Sequence, residues 1–202
     1  MITTDMAVFT KGWTAGQRVK LLREAVKEYG CDEFFPWKEL LATDFFVAPA
    51  STKYHGAYAG GLFDHSLNVA NVLCYLTGTG MTDPWERPES PFLIGIFHDS
   101  TKIGKYAVKS TGDGFEWHID KNWPIYGGHG AESVIRTQEW IQLTQEEILC
   151  IRFHMGAYEH DDWDAFDQAI KKYPNVLWTH QADMIASKIL EKKEELNENK
   201  TS

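Results

Sequence analysis

The chain contains no run of about 18 apolar residues, the length a helix needs to cross a bilayer, so no membrane-spanning helix is expected among its 202 positions. Cysteine is scarce: Cys31, Cys74 and Cys150 are odd in number and widely spaced. That argues against a disulfide framework or a cysteine-built zinc site and suits reduced, buried thiols. The opening MITTDMAVFTKGW lacks the basic-then-apolar order of a secretion signal, and a cytoplasmic location is expected. Positive charge is also short, with 20 Lys and Arg against 29 Asp and Glu, a net −9. Proteins that grip many phosphates along a nucleic acid usually carry a basic surface. This balance favours a small anionic substrate in a local pocket. No repeat or low-complexity tract occurs, and a hydrophobic share of 43% suits one ordinary globular domain.

What is present reads as a succession of helices. Residues 1–13 read as a loose arm pinned by Phe9 and Trp13. Thr14 is a candidate N-cap for a helix over 15–29, with Val19, Leu22, Val26 and Tyr29 on one stripe and Gly30 as the stop. Pro36 opens a short helix through Leu41, and an apolar link follows over 45–51. A glycine-rich loop then enters a helix whose stripe is Leu62, Val69, Val72, Leu73 and Leu76, with His65 inside it. After a loop over 81–90, the run from Pro91 to Phe97 is wholly apolar. Residues 106–117 read as a β-hairpin turned by Asp113-Gly114, able to overhang the preceding segment as a lid. A helix follows from Ala131 to about Ile141. Thr144 and Glu147 form a capping box that opens another. Tyr158, His160 and Trp163 are candidate pocket-rim residues, and a helix covers 163–172. The last helix runs from Pro174 to about Leu196 with Val176, Asp183, Ala186 and Leu190 on its buried stripe. Residues from Glu191 onward read as charged and solvated.

The chemistry concentrates in Phe97-His98-Asp99-Ser100-Thr101-Lys102. If the apolar run continues as a helix, Lys102 lies three residues after Asp99 and four after His98, on nearly the same face. An imidazole, a carboxylate and an ammonium leaving a buried segment together are costly unless compensated, and a metal with a phosphate would compensate them. Taken singly, His65 reads as a core histidine bonded to a carbonyl, His129 as an exposed loop histidine between glycines, and Asp183 as the partner of Arg152 or Lys102. Taken together, His65, His98-Asp99, His129, His154 and Asp183 spell H…HD…H…H…D on successive helices. Helices converging on one centre are how bundle metal sites are built. This donor mixture suits Mn, Fe, Co, Ni or Zn, with Mg possible.

Five motifs in order give the chain a family resemblance. The stretch 54–67 resembles H-x-x-Y-x-G-G-L-x-x-H-S/T-L. His98 to Tyr106 resembles HD-x-x-K-I-G-K-Y, Gly128 to Ser133 resembles GHGxxS, Arg152 to Gly156 resembles R-x-H-M-G, and His180 to Asp183 resembles H-x-A-D. Over residues 50–192 the sequence resembles the HD-domain metal-dependent phosphohydrolases, in the branch that includes bacterial 3′→5′ exoribonucleases. One departure is Ser100-Thr101, where many members carry a small apolar residue followed by glycine or cysteine. The resemblance implies an all-α HD-domain helical bundle with a small β-hairpin insertion. Residues 1–50 would be a helical extension packed on the domain, 51–192 the HD domain, and 193–202 a charged tail. It implies one metal held by His65, His98, Asp99 and Asp183, and a second held by His129 and His154 with Asp99 bridging. Asp99 and Lys102 would be catalytic, and His55, Lys102 and Lys105 would contact substrate. The expected activity is hydrolysis of a phosphoester or phosphoanhydride of a nucleotide or similar small phosphorylated substrate. The alternatives are a 3′→5′ exonuclease on single-stranded RNA or DNA, and a nucleotide-sensing module without turnover. The first 50 residues are too few and too helical for the OB domain that the exoribonucleases carry.

Overall fold

The most apolar stretches form the centre of the molecule. Helix α3 (Gly61–Gly78) is buried on nearly all sides of its first ten residues, and all eight residues of α4 (Ser90–Phe97) are buried. A helix apolar all round belongs inside a fold, and these two pack against each other. The protein, as a computed structural model, is described over residues 6–53, 56–111, 114–121, 123, 128–159 and 162–192, with only the backbone at 158 and 159. Those residues form eight α-helices and one two-stranded antiparallel sheet. The other helices are α1 (Ala15–Glu28), α2 (Trp37–Leu41), α5 (His129–Gln138), α6 (Gln145–Arg152), α7 (Trp163–Lys172) and α8 (Asn175–Ile185). The architecture is therefore mostly helical with a small hairpin. No helix among the described residues is long and apolar enough to cross a membrane.

Local sequence chemistry fixes several boundaries. Capping boxes open α1 at Thr14 with Gln17 and α6 at Thr144 with Glu147, each satisfying two otherwise orphaned backbone N–H groups. The hairpin strands are β1 (Tyr106–Thr111) and β2 (Gly114–Ile119). Their register pairs Thr111 with Gly114, so Gly114 belongs to β2, while residues 112 and 113 lie outside the described residues. The expected hairpin is present; of the expected Asp113-Gly114 turn, Asp113 lies outside the described residues and Gly114 opens β2. The aromatic core runs through Phe35, Phe45, Phe46, Phe63 and Phe97, and α1 docks by Leu22 and Val26 with Tyr29 stacked on Phe92 at 4.8 Å.

Two further expectations need correction. The apolar run does not continue as a helix through Lys102: α4 ends at Phe97, Asp99 takes φ −106°, ψ 21°, and Ser100–Lys102 form one 3-10 turn. Short polar side chains divert the backbone there. Ser133 Oγ accepts from the Thr101 N–H at 3.2 Å, while Ser100 Oγ donates to the Ser133 carbonyl at 2.9 Å. The arm preceding α1 is also not loose from residue 6. The Val8 N–H donates to Asn68 Oδ1 at 2.6 Å, and Thr10 is buried against Asp64.

Arg18 explains that anchorage. Its Nε donates to Thr10 Oγ1 at 2.7 Å, and its terminal nitrogens donate to the carbonyls of Thr10, Phe46 and Ala59 at 2.8–3.1 Å. The Thr10 hydroxyl in turn donates to Asp64, which also accepts from the Thr10 N–H and from Tyr58 Oη. Gly60, at φ +92°, leaves the space the guanidinium occupies, since a Cβ there would overlap it. One buried cation thus joins the arm, α1, the 45–51 link and the entrance to α3. Breaking a buried charge network by removing one partner typically costs about 3–5 kcal/mol. Arg18→Ala should lower the urea unfolding free energy by that amount; a loss under about 1 kcal/mol would contradict the anchoring role.

Candidate metal centre

Asp99 is 2% exposed and is approached by side chains from α3, the end of α4, α5 and the segment after α6. Lys102 Nζ lies 2.6 Å from its Oδ2, and His129 Nε2 lies 2.6 Å from its Oδ1. His65 Nε2, His98 Nε2 and His154 Nε2 follow at 3.4, 3.5 and 3.6 Å. Asp183 Oδ1 lies 3.2 Å from His65 Nε2, so its partner is this histidine, not Arg152 or Lys102. All six sequence-derived ligand candidates therefore converge. Donor atoms of His65, His98 and Asp183 lie within 4.8 Å of one another, as do those of His98, Asp99 and His154, the two triples sharing His98.

The imidazoles are turned so that Nε2 faces the centre. His98 Nδ1 lies 2.8 Å from the Gly95 carbonyl and His154 Nδ1 lies 2.7 Å from the Ile151 carbonyl. A carbonyl only accepts, so each Nδ1 carries its hydrogen and leaves a lone pair on Nε2 in the neutral ring. His65 Nδ1 lies 2.9 Å from Glu191 Oε1, the carboxylate–histidine arrangement that orients metal ligands. The Nε2 atoms of His65 and His98 are only 3.2 Å apart. Two lone pairs at that distance require a proton or a cation between them. His154 Nε2 is buried and makes no hydrogen bond among the described residues, its nearest carboxylate oxygen being Asp99 Oδ1 at 3.6 Å. Imidazole and carboxylate donors with an unsatisfied buried nitrogen fit a divalent transition ion.

Packing brings the ligands this close. Gly95 precedes His98 by one turn, and a Cβ on it would strike the backbone of Ala70 on α3. That close approach lets α3 and α4 bring His65 and His98 together. Gly130, next to His129, meets the Arg152 carbonyl in the same way, drawing α5 onto the end of α6 beside His154. The glycine-flanked histidine was readable as a point of close approach; Gly95 was not, because nothing marks it within an apolar run. Glu191 was also missed, having been read as the start of a solvated segment. It is 8% exposed and hydrogen-bonded to His65. In an unbroken α-helix, Glu191 would sit roughly 80° around from Asp183. A π-helical stretch over Ala186–Leu190 turns less per residue and restores the common face.

A cavity of about 210 Å³ opens onto this centre. His65, Asp99, Lys102, His129 and Asp183 form its floor, and Met155, His180, Met184, Ser187 and Lys188 complete the wall. Lys105 is not among the lining residues; its ammonium lies 5.9 Å from the Tyr106 ring centroid. His55, His160 and the side chain of Tyr158 lie outside the described residues. Trp163 is 58% exposed and does not line the cavity. Residues 193–202, expected as a tail, also lie outside them.

The charges of the site set its protonation. Burial pushes Asp99 up, but Lys102, His98 and His129 outweigh it and hold the carboxyl well below its usual range. Burial lowers Lys102, and Asp99 more than reverses this, so the ammonium persists. His98 is driven down to about 3 by burial, against the pull of Asp99. Burial likewise lowers His129 despite Asp99. His65 is opposed by burial yet raised to about 10 by Glu191 and Asp183, and His154 is raised by Asp99 and Asp183 against the same opposition. The neighbouring carboxylates therefore favour a proton on His65 and act in the same direction on His154. No protein-family model, curated protein or solved structure matches the chain.

Those shifts give a signed pH dependence. A group whose folded pKa exceeds its unfolded value contributes stability present below the unfolded pKa and lost as pH rises through the folded one. For His65 that window runs from 6.5 to about 10, and His154 acts in the same direction. His98 and His129, both lowered, act only below 6.5. Metal-free protein should lose thermal stability between pH 6.5 and 10, and saturating Mn should flatten that slope because the ion replaces the proton. A metal-free melting temperature that rises across this interval would contradict the assignment. Separately, Glu191→Gln keeps the hydrogen-bond acceptor but removes its charge, and should weaken Mn binding about 10–100-fold in calorimetry; unchanged affinity would remove Glu191 from the centre.

Proposed function

We propose that the protein is a metal-dependent phosphohydrolase of the HD-domain type, acting on a small phosphorylated substrate such as a nucleotide. The observation that carries this reading is the Asp99 carboxylate, which has Lys102 and four imidazoles within 3.6 Å on the floor of a cavity. The ordered motifs that resemble HD phosphohydrolases supply ligands on or just beyond separate helices and add support from the sequence side. His65, His98, Asp99 and Asp183 would hold one divalent ion, with His129 and His154 available to a second. Bound there, such an ion supplies Lewis acidity toward a phosphoryl oxygen and makes water acidic enough to be a nucleophile at neutral pH.

The chain's own residues do the rest. Asp99 stays ionised because Lys102 and His129 flank its two oxygens. Lys102 stays an ammonium at the cavity floor, where it can donate to a non-bridging phosphoryl oxygen as negative charge grows on it. Burial of His98, Asp99 and His154 keeps bulk water from screening those charges. The cavity, about 210 Å³, is smaller than the roughly 300–1,000 Å³ typical of drug-sized ligand sites. Together with the net charge of −9, that favours a small phosphoester over a polynucleotide strand.

The test is metal analysis of the purified protein, followed by phosphate release from mononucleotides and short oligonucleotides with Mn, Ni, Co or Mg. Release from mononucleotides is expected. His98→Ala and Asp99→Ala should each abolish bound metal and turnover. Lys102→Ala should keep the metal and lower kcat about 100- to 1,000-fold, as for loss of one preorganised charge-stabilising donor. Metal retained in both the His98 and Asp99 variants would overturn the ligand set. Salt-sensitive shortening of oligonucleotides without release from mononucleotides would overturn the substrate class.

A further inference from the structure

The floor and the outer wall of the cavity differ in chemistry. The floor is made of titratable side chains, whereas the outer wall, besides His180, Ser187 and Lys188, presents two thioethers, Met155 and Met184. These side chains are 39% and 37% exposed, so packing alone does not account for a pair of them at one small opening. Met155 follows His154 directly and precedes Gly156, whose φ of +66° turns the chain away from α6. Met184 follows Asp183 on α8. Each methionine is thus one residue from a candidate ligand, and both approach the same space from different elements.

His180 lines the same cavity. Its Nδ1 lies 2.7 Å from the His154 carbonyl, which fixes the ring and leaves Nε2 as its remaining polar atom. Phe166 packs edge-on against it at 5.9 Å, and a Cβ on Gly156 would lie 3.1 Å from its Cε1, so the imidazole is held on two sides. Among the described residues the one hydroxyl on the outer wall, Ser187 Oγ, donates to the Asp183 carbonyl one turn earlier at 2.9 Å. Lys188 apart, that wall therefore offers little to a polyol and much to a flat, polarizable surface.

We propose that Met155 and Met184 form a clamp for a flat, uncharged ring carried by the phosphorylated substrate, with His180 reading the ring's polar edge. The proposal rests on the phosphohydrolase reading of the same cavity and names the part of the substrate beyond the phosphate. Sulfur–aromatic contacts contribute about 0.3–1.5 kcal/mol each, and the unbranched methionine side chain adapts to rings of different outline. Two such contacts make a ring-bearing phosphate tighter by a factor on the order of ten than one without a ring.

Phenylphosphonate and methylphosphonate are matched, non-hydrolysable probes for calorimetry on the full Mn-loaded chain. Wild-type protein is expected to bind phenylphosphonate about tenfold more tightly. In Met155→Ala/Met184→Ala that ratio should fall to about twofold or less, with methylphosphonate affinity and Mn content unchanged. Met155→Leu/Met184→Leu should recover most of the preference, since apolar flanks of similar size return. Equal binding of the two probes by wild type, or a preference kept in the double alanine variant, overturns the clamp. Because both probes are inert, these outcomes are read independently of turnover: absent phosphate release with a retained phenyl preference defeats the phosphohydrolase reading and leaves the clamp standing.

Discussion

A single buried carboxylate organises the molecule. Asp99 cannot stay ionised inside a protein without compensation, because desolvating a charge is expensive. Its compensation comes from α3, α4, the turn that follows it, α5 and the chain just beyond α6. The helices are thereby tied to one point by electrostatics as well as by the aromatic core. Asp183 repeats the logic on α8, held low by the His65 imidazole against the upward push of burial. The same arrangement that holds these charges leaves imidazole lone pairs facing one another, which is the condition for taking up a cation.

Close convergence required sacrifices in regular geometry. Gly95 and Gly130 give up side chains so that helix backbones can meet, at some cost in helix propensity. The π stretch after α8 gives up ideal hydrogen bonding so that Asp183 and Glu191 can address opposite nitrogens of one imidazole. Such departures gather at functional sites because regular helices cannot place side chains from several elements within a few ångströms of one centre. The Arg18 network serves a different end. It fixes the entrance to α3 and hence the turn of helix on which His65 stands.

Much of this was legible in the sequence, and what was not has physical causes. Helical periodicity marked the stripes of α1, α3 and α8, and the Thr144 capping box placed α6. His65, His98, Asp99, His129, His154 and Asp183 stood out because polar groups in apolar stripes need partners. The break after Phe97 was hidden, since Ser100 and Thr101 are diverted by a residue more than thirty positions away. Glu191 was hidden because α-helical periodicity puts it on another face, and a charged run ordinarily means a solvated one. Arg18 and Thr10 lay within a segment whose burial depends on Asp64, again a long-range partner. Local patterns reveal which residues demand company; they do not reveal which distant residue supplies it.

The proposal that all else depends on is that His65, His98, Asp99 and Asp183 hold a divalent cation. Anomalous diffraction from crystals grown with Mn tests it most directly. The account predicts an anomalous peak within coordination distance, about 2.0–2.3 Å, of His98 Nε2 and an Asp99 carboxylate oxygen. Crystals soaked in millimolar Mn that show no peak there, or whose only peak lies away from Asp99, would contradict it.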